Sequence, residues 1–240
     1  MEAEMAGYGT ERHKDMKGQV ILITGSSSGI GRETALRFAE AGVKLVLTYN
    51  KGKNKGGQAE RHCRKLGANE TLLLHLNVMD EKSIRNALKK ILNKYGGIDF
   101  LINNAGVGLF RSFLDQTLRD IELQVRTNLE GLMKVTRLFL PYVRKGIINI
   151  ASGAGKEAYE EMSVYCGTKF GLRGFTQALA EEHRRLKICC VNPDMTATRL
   201  TGYEGRPASE VAEVVFRTAS GAIKVQAGGD VDVWEVVKPR

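Results

Sequence analysis

Tyr165 and Lys169 stand four residues apart, the spacing that puts two side chains on one face of a helix. A phenol with its ordinary pKa of about 10 is a poor proton donor or acceptor at neutral pH. An ammonium group beside it stabilises the phenolate and draws that pKa toward the working range. Such pairs are common by chance, so this one needs company. Ser152 supplies it: the hydroxyl follows the apolar run Gly146–Ala151, at the C-terminal end of a predicted strand, the edge where open α/β sheets bind ligands.

Near the N-terminus, Thr24-Gly25-Ser26-Ser27-Ser28-Gly29-Ile30-Gly31 joins a predicted strand to a predicted helix. Free N–H groups and the helix dipole favour a pyrophosphate there, and glycine lets the backbone approach it closely. Glycines also serve tight turns for steric reasons alone. Their place directly after the first strand is the context that a dinucleotide requires. The second strand ends at Tyr49-Asn50-Lys51, where an acid would hydrogen-bond an adenosine 2′-hydroxyl and repel a 2′-phosphate. No acid follows until Glu60, while Lys51, Lys53 and Arg32 lie nearby, so NADP(H) is expected over NAD(H).

These residues need a scaffold, and the apolar pattern predicts one. Strands are expected at Gln19–Thr24, Lys44–Thr48, Thr71–Leu76, Ile98–Asn103, Gly146–Ala151 and Lys187–Asn192. Each run is apolar almost without a break, as for strands covered on both faces. Helices are expected between them at Gly31–Ala41, Gln58–Leu66, Glu81–Tyr95, Leu118–Arg144 and Val164–Arg185, and the tail adds a helix, Ala208–Ser220, and a strand, Val231–Val237. This alternation predicts a Rossmann-type doubly wound parallel sheet of six or seven strands, with helices on both faces in three α/β/α layers. Residues 18–240 read as one domain after a polar lead-in, Met1–Lys17, that need not be ordered.

Composition narrows the classes. The 240 residues carry 36 Lys and Arg against 27 Asp and Glu, a net charge of +9, with 42% hydrophobic residues. That balance excludes a disordered chain, a collagen-like repeat and a disulfide scaffold. The basic residues are spread out, without a nucleic-acid module, so no nucleic-acid partner is expected. No apolar run approaches a membrane span and no secretory leader is visible, which leads to the expectation of a cytoplasmic protein. Four cysteines, with Cys189 and Cys190 inside an apolar run, read as small buried hydrophobes, and His13, His62, His75 and His183 lack metal-ligand spacing. No metal is expected.

With Asn128 before the fifth strand and Asn103-Asn104-Ala105-Gly106 closing the fourth, the sequence resembles the short-chain dehydrogenase/reductase family over roughly Lys17 to Leu200. The resemblance implies a catalytic set of Asn128, Ser152, Tyr165 and Lys169. In it Tyr165 moves a proton to or from the substrate oxygen and Ser152 holds that oxygen. Lys169 binds the nicotinamide ribose and lowers the phenol pKa, and Asn128 positions a water for proton relay. It implies cofactor contacts from Gly25, Ser27, Ser28, Gly29, Ile30 and Gly31, from Tyr49, Asn50 and Lys51, and from Asn77 and Val78 beside the adenine. Further contacts are implied from Asn104, Ala105 and Gly106, and from Tyr165, Lys169, Pro193 and Thr198. The reaction implied is hydride transfer between NADP(H) and a carbonyl or secondary alcohol. A 3-oxoacyl thioester, free or on an acyl carrier protein, is the first substrate expectation; general carbonyl, sugar or hydroxy-acid substrates are the alternatives. A non-catalytic dinucleotide sensor is the rival from another class. A homodimer or homotetramer is expected, a dimer being plausible through the two long helices. Two departures stand out: Asp194 where most relatives have glycine after the proline, and a short C-terminal tail.

Overall fold

The computed structural model describes residues 16–238. Seven strands make one parallel sheet: β1 (Val20–Ile23), β2 (Lys44–Tyr49), β3 (Glu70–His75), β4 (Ile98–Asn103), β5 (Val143–Ile150), β6 (Lys187–Asn192) and β9 (Asp230–Asp232), in the order β3-β2-β1-β4-β5-β6-β9. A separate pair of two-residue strands, β7 (Thr196–Ala197) and β8 (Arg206–Pro207), lies in the loop beyond β6. The order reverses direction at β1, so the C-terminal ends of β1 and β4 flank the crevice where such sheets bind ligands.

Both faces of the sheet are covered. On one, α1 (Gly29–Ala39), α2 (Lys53–Lys65) and α7 (Ala208–Ala219) bury Phe38, Cys63 and Phe216 over Ile21 and Ile23. On the other, α3 (Glu81–Tyr95), α5 (Leu132–Phe139) and α6 (Ser163–Glu182) bury Ile91, Phe139 and Leu179 over Val20 and Leu22. Alternate residues of β1 thus feed opposite layers, the side-chain period of a strand. Burial pushes the Cys63, Cys189 and Cys190 thiols up to about 12, which leaves them as packing groups.

Several boundaries differ from expectation. Residues 1–15 of the expected lead-in lie outside the described residues, but Met16 is 2% exposed and joins the core. The second helix begins at Lys53 rather than Gln58. Gly56 within it packs where a Cβ would lie 3.1 Å from Leu73 Cδ1, so the glycines that argue against a helix serve a close approach. The expected helix 118–144 is broken into α4 (Leu118–Val125), a wider π-type turn (Arg126–Gly131), α5 and a short turn, Leu140–Tyr142, whose Pro141 stops it, so Arg144 lies in β5. The expected last strand, 231–237, is only Asp230–Asp232, and Val233–Val236 turns into a short helix, α8.

A chain of buried amides and hydroxyls crosses the far layer. Asn103 Nδ2 donates to Thr136 Oγ1 (3.0 Å) and to Asn149 Oδ1 (2.9 Å), and Asn149 Nδ2 donates to Thr176 Oγ1 (2.9 Å). Asn149 is wholly buried, so Asn149→Ala takes one hydrogen bond from each of Asn103 and Thr176, which keep Thr136 and Leu172 as partners, and leaves a small void. The expected cost is about 3 kcal/mol, read as a lower urea midpoint with unchanged slope; an unshifted midpoint would show that the chain of amides carries no stability.

Candidate active site

The glycine turn is held by its own polar side chains. Thr24 Oγ1 accepts from the N–H groups of Asn104 (2.9 Å) and Ala105 (3.0 Å), and Asn104 Nδ2 donates to the carbonyls of Thr24 (2.9 Å) and Gly25 (3.2 Å). Thr48 Oγ1 accepts from Gly25 N (3.0 Å), and Ser26 Oγ accepts from Thr48 N (2.8 Å). Thr24, Ser26 and Thr48 were not picked out by the sequence as site residues; their signal was only that buried hydroxyls beside a glycine turn need partners. Gly25 therefore shapes the turn at φ +67° with its N–H already bonded, and Asn104 braces the turn while also bordering the cleft. Ser28 caps α1 without a side-chain bond, and the first turn of α1 holds no acid, so its leading N–H groups face outward for an anion. A Cβ on Gly31 would lie 2.6 Å from Gly25 O and collide with the Asn104 amide. These features fit a dinucleotide pyrophosphate on the turn, as expected from Ser27, Ser28, Gly29 and Ile30.

Below the turn, the ends of β4, β5 and β6 border a cleft of about 950 Å³ lined by Ile30, Asn104, Gly106, Ser152, Tyr165, Lys169, Pro193 and Thr198 among others. Ser152 follows β5, where Ser152 Oγ accepts from Ala154 N (3.2 Å) and Gly153 N donates to Pro193 O (2.8 Å). Tyr165 and Lys169 project from the first turns of α6, with Lys169 Nζ 5.6 Å from the Tyr165 ring centre. Lys169 Nζ donates to Ile150 O at 2.9 Å, so it is anchored behind the phenol. Burial pushes the Tyr165 phenol up to about 12 against the opposing pull of a hydrogen bond with Ser152. Burial pushes the Lys169 amine down to about 8. The lowering of the phenol expected from its lysine is therefore not found: desolvation disfavours both charged forms, and the downward pull on the phenol comes from Ser152.

Asn128 stands inside the π-type turn and is wholly buried rather than lining the cleft. Its amide spans Val107, accepting from Val107 N (2.8 Å) and donating to Val107 O (2.7 Å), and also donates to Thr168 Oγ1 (3.2 Å) beside Lys169. Such turns inside helices recur at functional sites. Asn77 Oδ1 accepts from Met79 N (3.1 Å), and Val78 packs against Gly131 of the same turn. The Tyr49 ring packs edge-on against His75, 5.6 Å between centres, while Asn50 and Lys51 are exposed beyond it. Lys51 borders a second hollow of about 390 Å³ with Met79, Arg119 and Arg126. Arg32 is turned to Glu33 at 2.6 Å.

Asp194 accepts a two-pronged ion pair from Arg206 (2.8 and 2.9 Å), and Arg206 also meets Glu210 at 2.7 Å. Asp194 is absent from the positive-φ residues, so the conformational cost feared for aspartate at a glycine position does not arise. The pair fastens both ends of the loop carrying Thr198, whose methyl carbon lies 3.4 Å from where a Cβ of Gly29 would stand. Thr198 Oγ1 accepts from Leu200 N (3.2 Å).

A family model described as short chain dehydrogenase matches residues 19–208. The NADP-dependent 3-hydroxy acid dehydrogenase of Schizosaccharomyces pombe is 36% identical over 215 residues, 85% of this chain and 82% of that protein. The 3-oxoacyl acyl-carrier-protein reductase of Aquifex aeolicus is 35% identical over 192 residues, 78% of this chain and 77% of that one. Among solved structures, a short chain dehydrogenase from Burkholderia cenocepacia in complex with NADP is 25% identical at a TM-score of 0.82, with 90% of this chain and 96% of that chain covered.

Gly31→Ala forces the Asn104 amide away from the turn it braces. Dinucleotide affinity, measured by fluorescence titration with NADPH, is expected to fall at least about tenfold, with a lowered thermal midpoint but cooperative unfolding retained; undiminished affinity would show that the turn does not hold the nucleotide.

Proposed function

The chain belongs to the short-chain dehydrogenase family, and from that premise we propose that it is an NADP(H)-dependent oxidoreductase that interconverts a carbonyl compound and its secondary alcohol through Ser152, Tyr165 and Lys169. The convergence of these three side chains on one cleft below the glycine turn carries the reading. When bound, the nicotinamide supplies or accepts the hydride. Tyr165 gives a proton to the carbonyl oxygen in reduction and takes it back in oxidation, and Ser152 holds that oxygen by hydrogen bond. Lys169 places a positive charge behind the phenol as it loses its proton and would reach the ribose hydroxyls. Asn128 is a positioning residue, fixing Val107 at the mouth and Thr168 beside the lysine; a water relay past it completes the proton path.

For the 2′-phosphate, support comes from the early start of α2. Its N-terminus at Lys53 lies just beyond β2, with Gly52 at the cap, and Lys51 and Lys53 add charge where no acid stands. A 3-oxoacyl thioester is the leading substrate, in line with the activity named for the Aquifex aeolicus relative. A 3-hydroxy acid is the second reading, in line with the name of the Schizosaccharomyces pombe protein. Assembly as a homodimer or homotetramer would use the exposed Leu118 and Leu123 of α4 and Phe170 of α6.

Tyr165→Phe is expected to lower reductase turnover about 1,000-fold with NADPH affinity nearly unchanged; near-normal turnover would overturn the assignment. Catalytic efficiency with NADPH should exceed that with NADH at least about tenfold, and Lys51→Asp should narrow the ratio; parity in the unaltered enzyme would remove the NADP(H) preference. The pH dependence follows from burial. Lys169 loses its proton below the range of a free lysine, whereas Tyr165 keeps its own up to about 12. Reduction needs phenol and ammonium together, so kcat/KM should decline as pH rises through about 8. A profile level to pH 10 would contradict this.

A further inference from the structure

The end of the cleft away from the glycine turn sets Phe110, Met162, Leu200 and Trp234 among polar side chains, and most of the charges there are matched within the protein. Phe110 meets the Tyr165 ring edge-on, 5.5 Å between centres at 81°. Trp234, brought in by the short tail, packs on the turn after Ser152, its Cζ3 3.6 Å from where a Cβ of Gly153 would stand. Phe110 and Leu200 converge from opposite loops over Gly108, where a Cβ would lie 2.9 Å from the one and 3.0 Å from the other. The two reacting hydroxyls are therefore flanked by an indole on one side and a phenyl ring on the other.

The bordering charges are internally engaged. Lys156 is ion-paired with Asp232, which also accepts from Asn192 Nδ2 (2.6 Å), and the Lys156 ammonium lies 5.8 Å from the Trp234 ring centre. This pairing neutralises the lysine and fixes the indole. Asp194 is taken by the 6% exposed Arg206. Glu157 accepts from Tyr159 (3.3 Å), and Glu235 at the border adds a further negative charge. Among the described residues lining the cleft, an anionic substrate would meet no uncommitted cation beyond Lys169, which is turned to Ile150 O. Of the polar side chains on the lining, Tyr159 donates to Glu157 (3.3 Å), Thr196 Oγ1 to Asp194 O (2.8 Å) and Thr201 Oγ1 to Thr196 O (2.6 Å), so a polyol would compete with bonds already made in order to place its hydroxyls.

Resting on the oxidoreductase reading, we propose that this end of the cleft selects an uncharged ketone or secondary alcohol carried on an apolar ring or acyl chain, with Trp234 and Phe110 as the specificity-determining residues. Trp234 is the single tryptophan of the chain, so its fluorescence reports the occupancy of this wall directly.

The test uses three probes of similar size: an aryl alkyl ketone, the same ketone bearing a ring carboxylate, and a ketose sugar. The uncharged ketone is expected to change Trp234 emission on titration, and to be reduced with kcat/KM at least about tenfold above the other two. Trp234→Ala should raise its KM about tenfold and leave the KM for NADPH unaltered, with Trp234→Phe recovering most of the loss. Equal or better reduction of the carboxylate or the sugar would overturn the apolar selection while leaving the oxidoreductase reading in place. Emission changes without turnover of any carbonyl would overturn the oxidoreductase reading and uphold the apolar site. Neither emission change nor turnover would overturn both.

Discussion

The buried amide chain from Asn103 through Asn149 to Thr176 is the constraint on which the site depends. Asn103 ends β4 and immediately precedes the residue that braces the glycine turn. Asn149 lies three residues before Ser152, and Thr176 lies two helical turns beyond Lys169 on α6. One chain of hydrogen bonds therefore ties together the nucleotide turn, the serine strand and the tyrosine–lysine helix. Apolar packing resists sliding only weakly, because neighbouring hydrophobes can exchange places at small cost. Buried amides tolerate no such exchange: a shift in the spacing of β4, β5 and α6 leaves donors dry and unpaired. The placement of Ser152 relative to Tyr165 is thus constrained from within the core.

The same economy governs the glycine turn. Its side chains are spent on the turn itself: Thr24, Ser26 and Thr48 close hydrogen bonds among the ends of β1, β2 and β4, and Asn104 spans the two carbonyls. What remains outward is backbone N–H at the start of α1. A binding surface made of backbone is stiff and has no rotamers to order, so little entropy is lost when an anion docks. The cost is intolerance to a Cβ at Gly31, where the Asn104 amide occupies the space.

Much of this was legible in the sequence because the parallel strands are covered on both faces and so read as unbroken apolar runs; Ile98–Asn103 and Lys187–Asn192 coincide with β4 and β6 to the residue. Ser152, Tyr165 and Lys169 stood out as candidates because each follows a strand or opens a helix at one sheet edge, and the structure brings them to one cleft. Other features depended on partners distant in sequence. The early start of α2 runs through glycines that local propensity disfavours, and only Leu73 and Tyr49 packed above Gly56 explain them. Asp194 looked like a departure from a glycine; its reason, Arg206, lies twelve residues on. The tail read as a strand because Val231–Val237 is rich in valine, yet the sheet ends after Asp232 and the chain turns to bring Trp234 to the cleft.

Burial acts on the catalytic pair in two directions at once. It raises the phenol of Tyr165 to about 12 and lowers the amine of Lys169 to about 8, so both groups favour their neutral forms more than they would in water. The phenol holds its proton through the whole neutral range. The lysine is charged at neutral pH but only narrowly, and the forming phenolate is what makes its proton worth keeping. Two contacts oppose that desolvation: the hydrogen bond with Ser152 draws the phenol down, and Ile150 O receives the ammonium. An exposed pair would lose this difference, because water would stabilise phenolate and ammonium before as well as during transfer. The enclosure of Tyr165 and Lys169, more than their spacing on a helix, sets how far each group's proton affinity departs from that of an ordinary side chain.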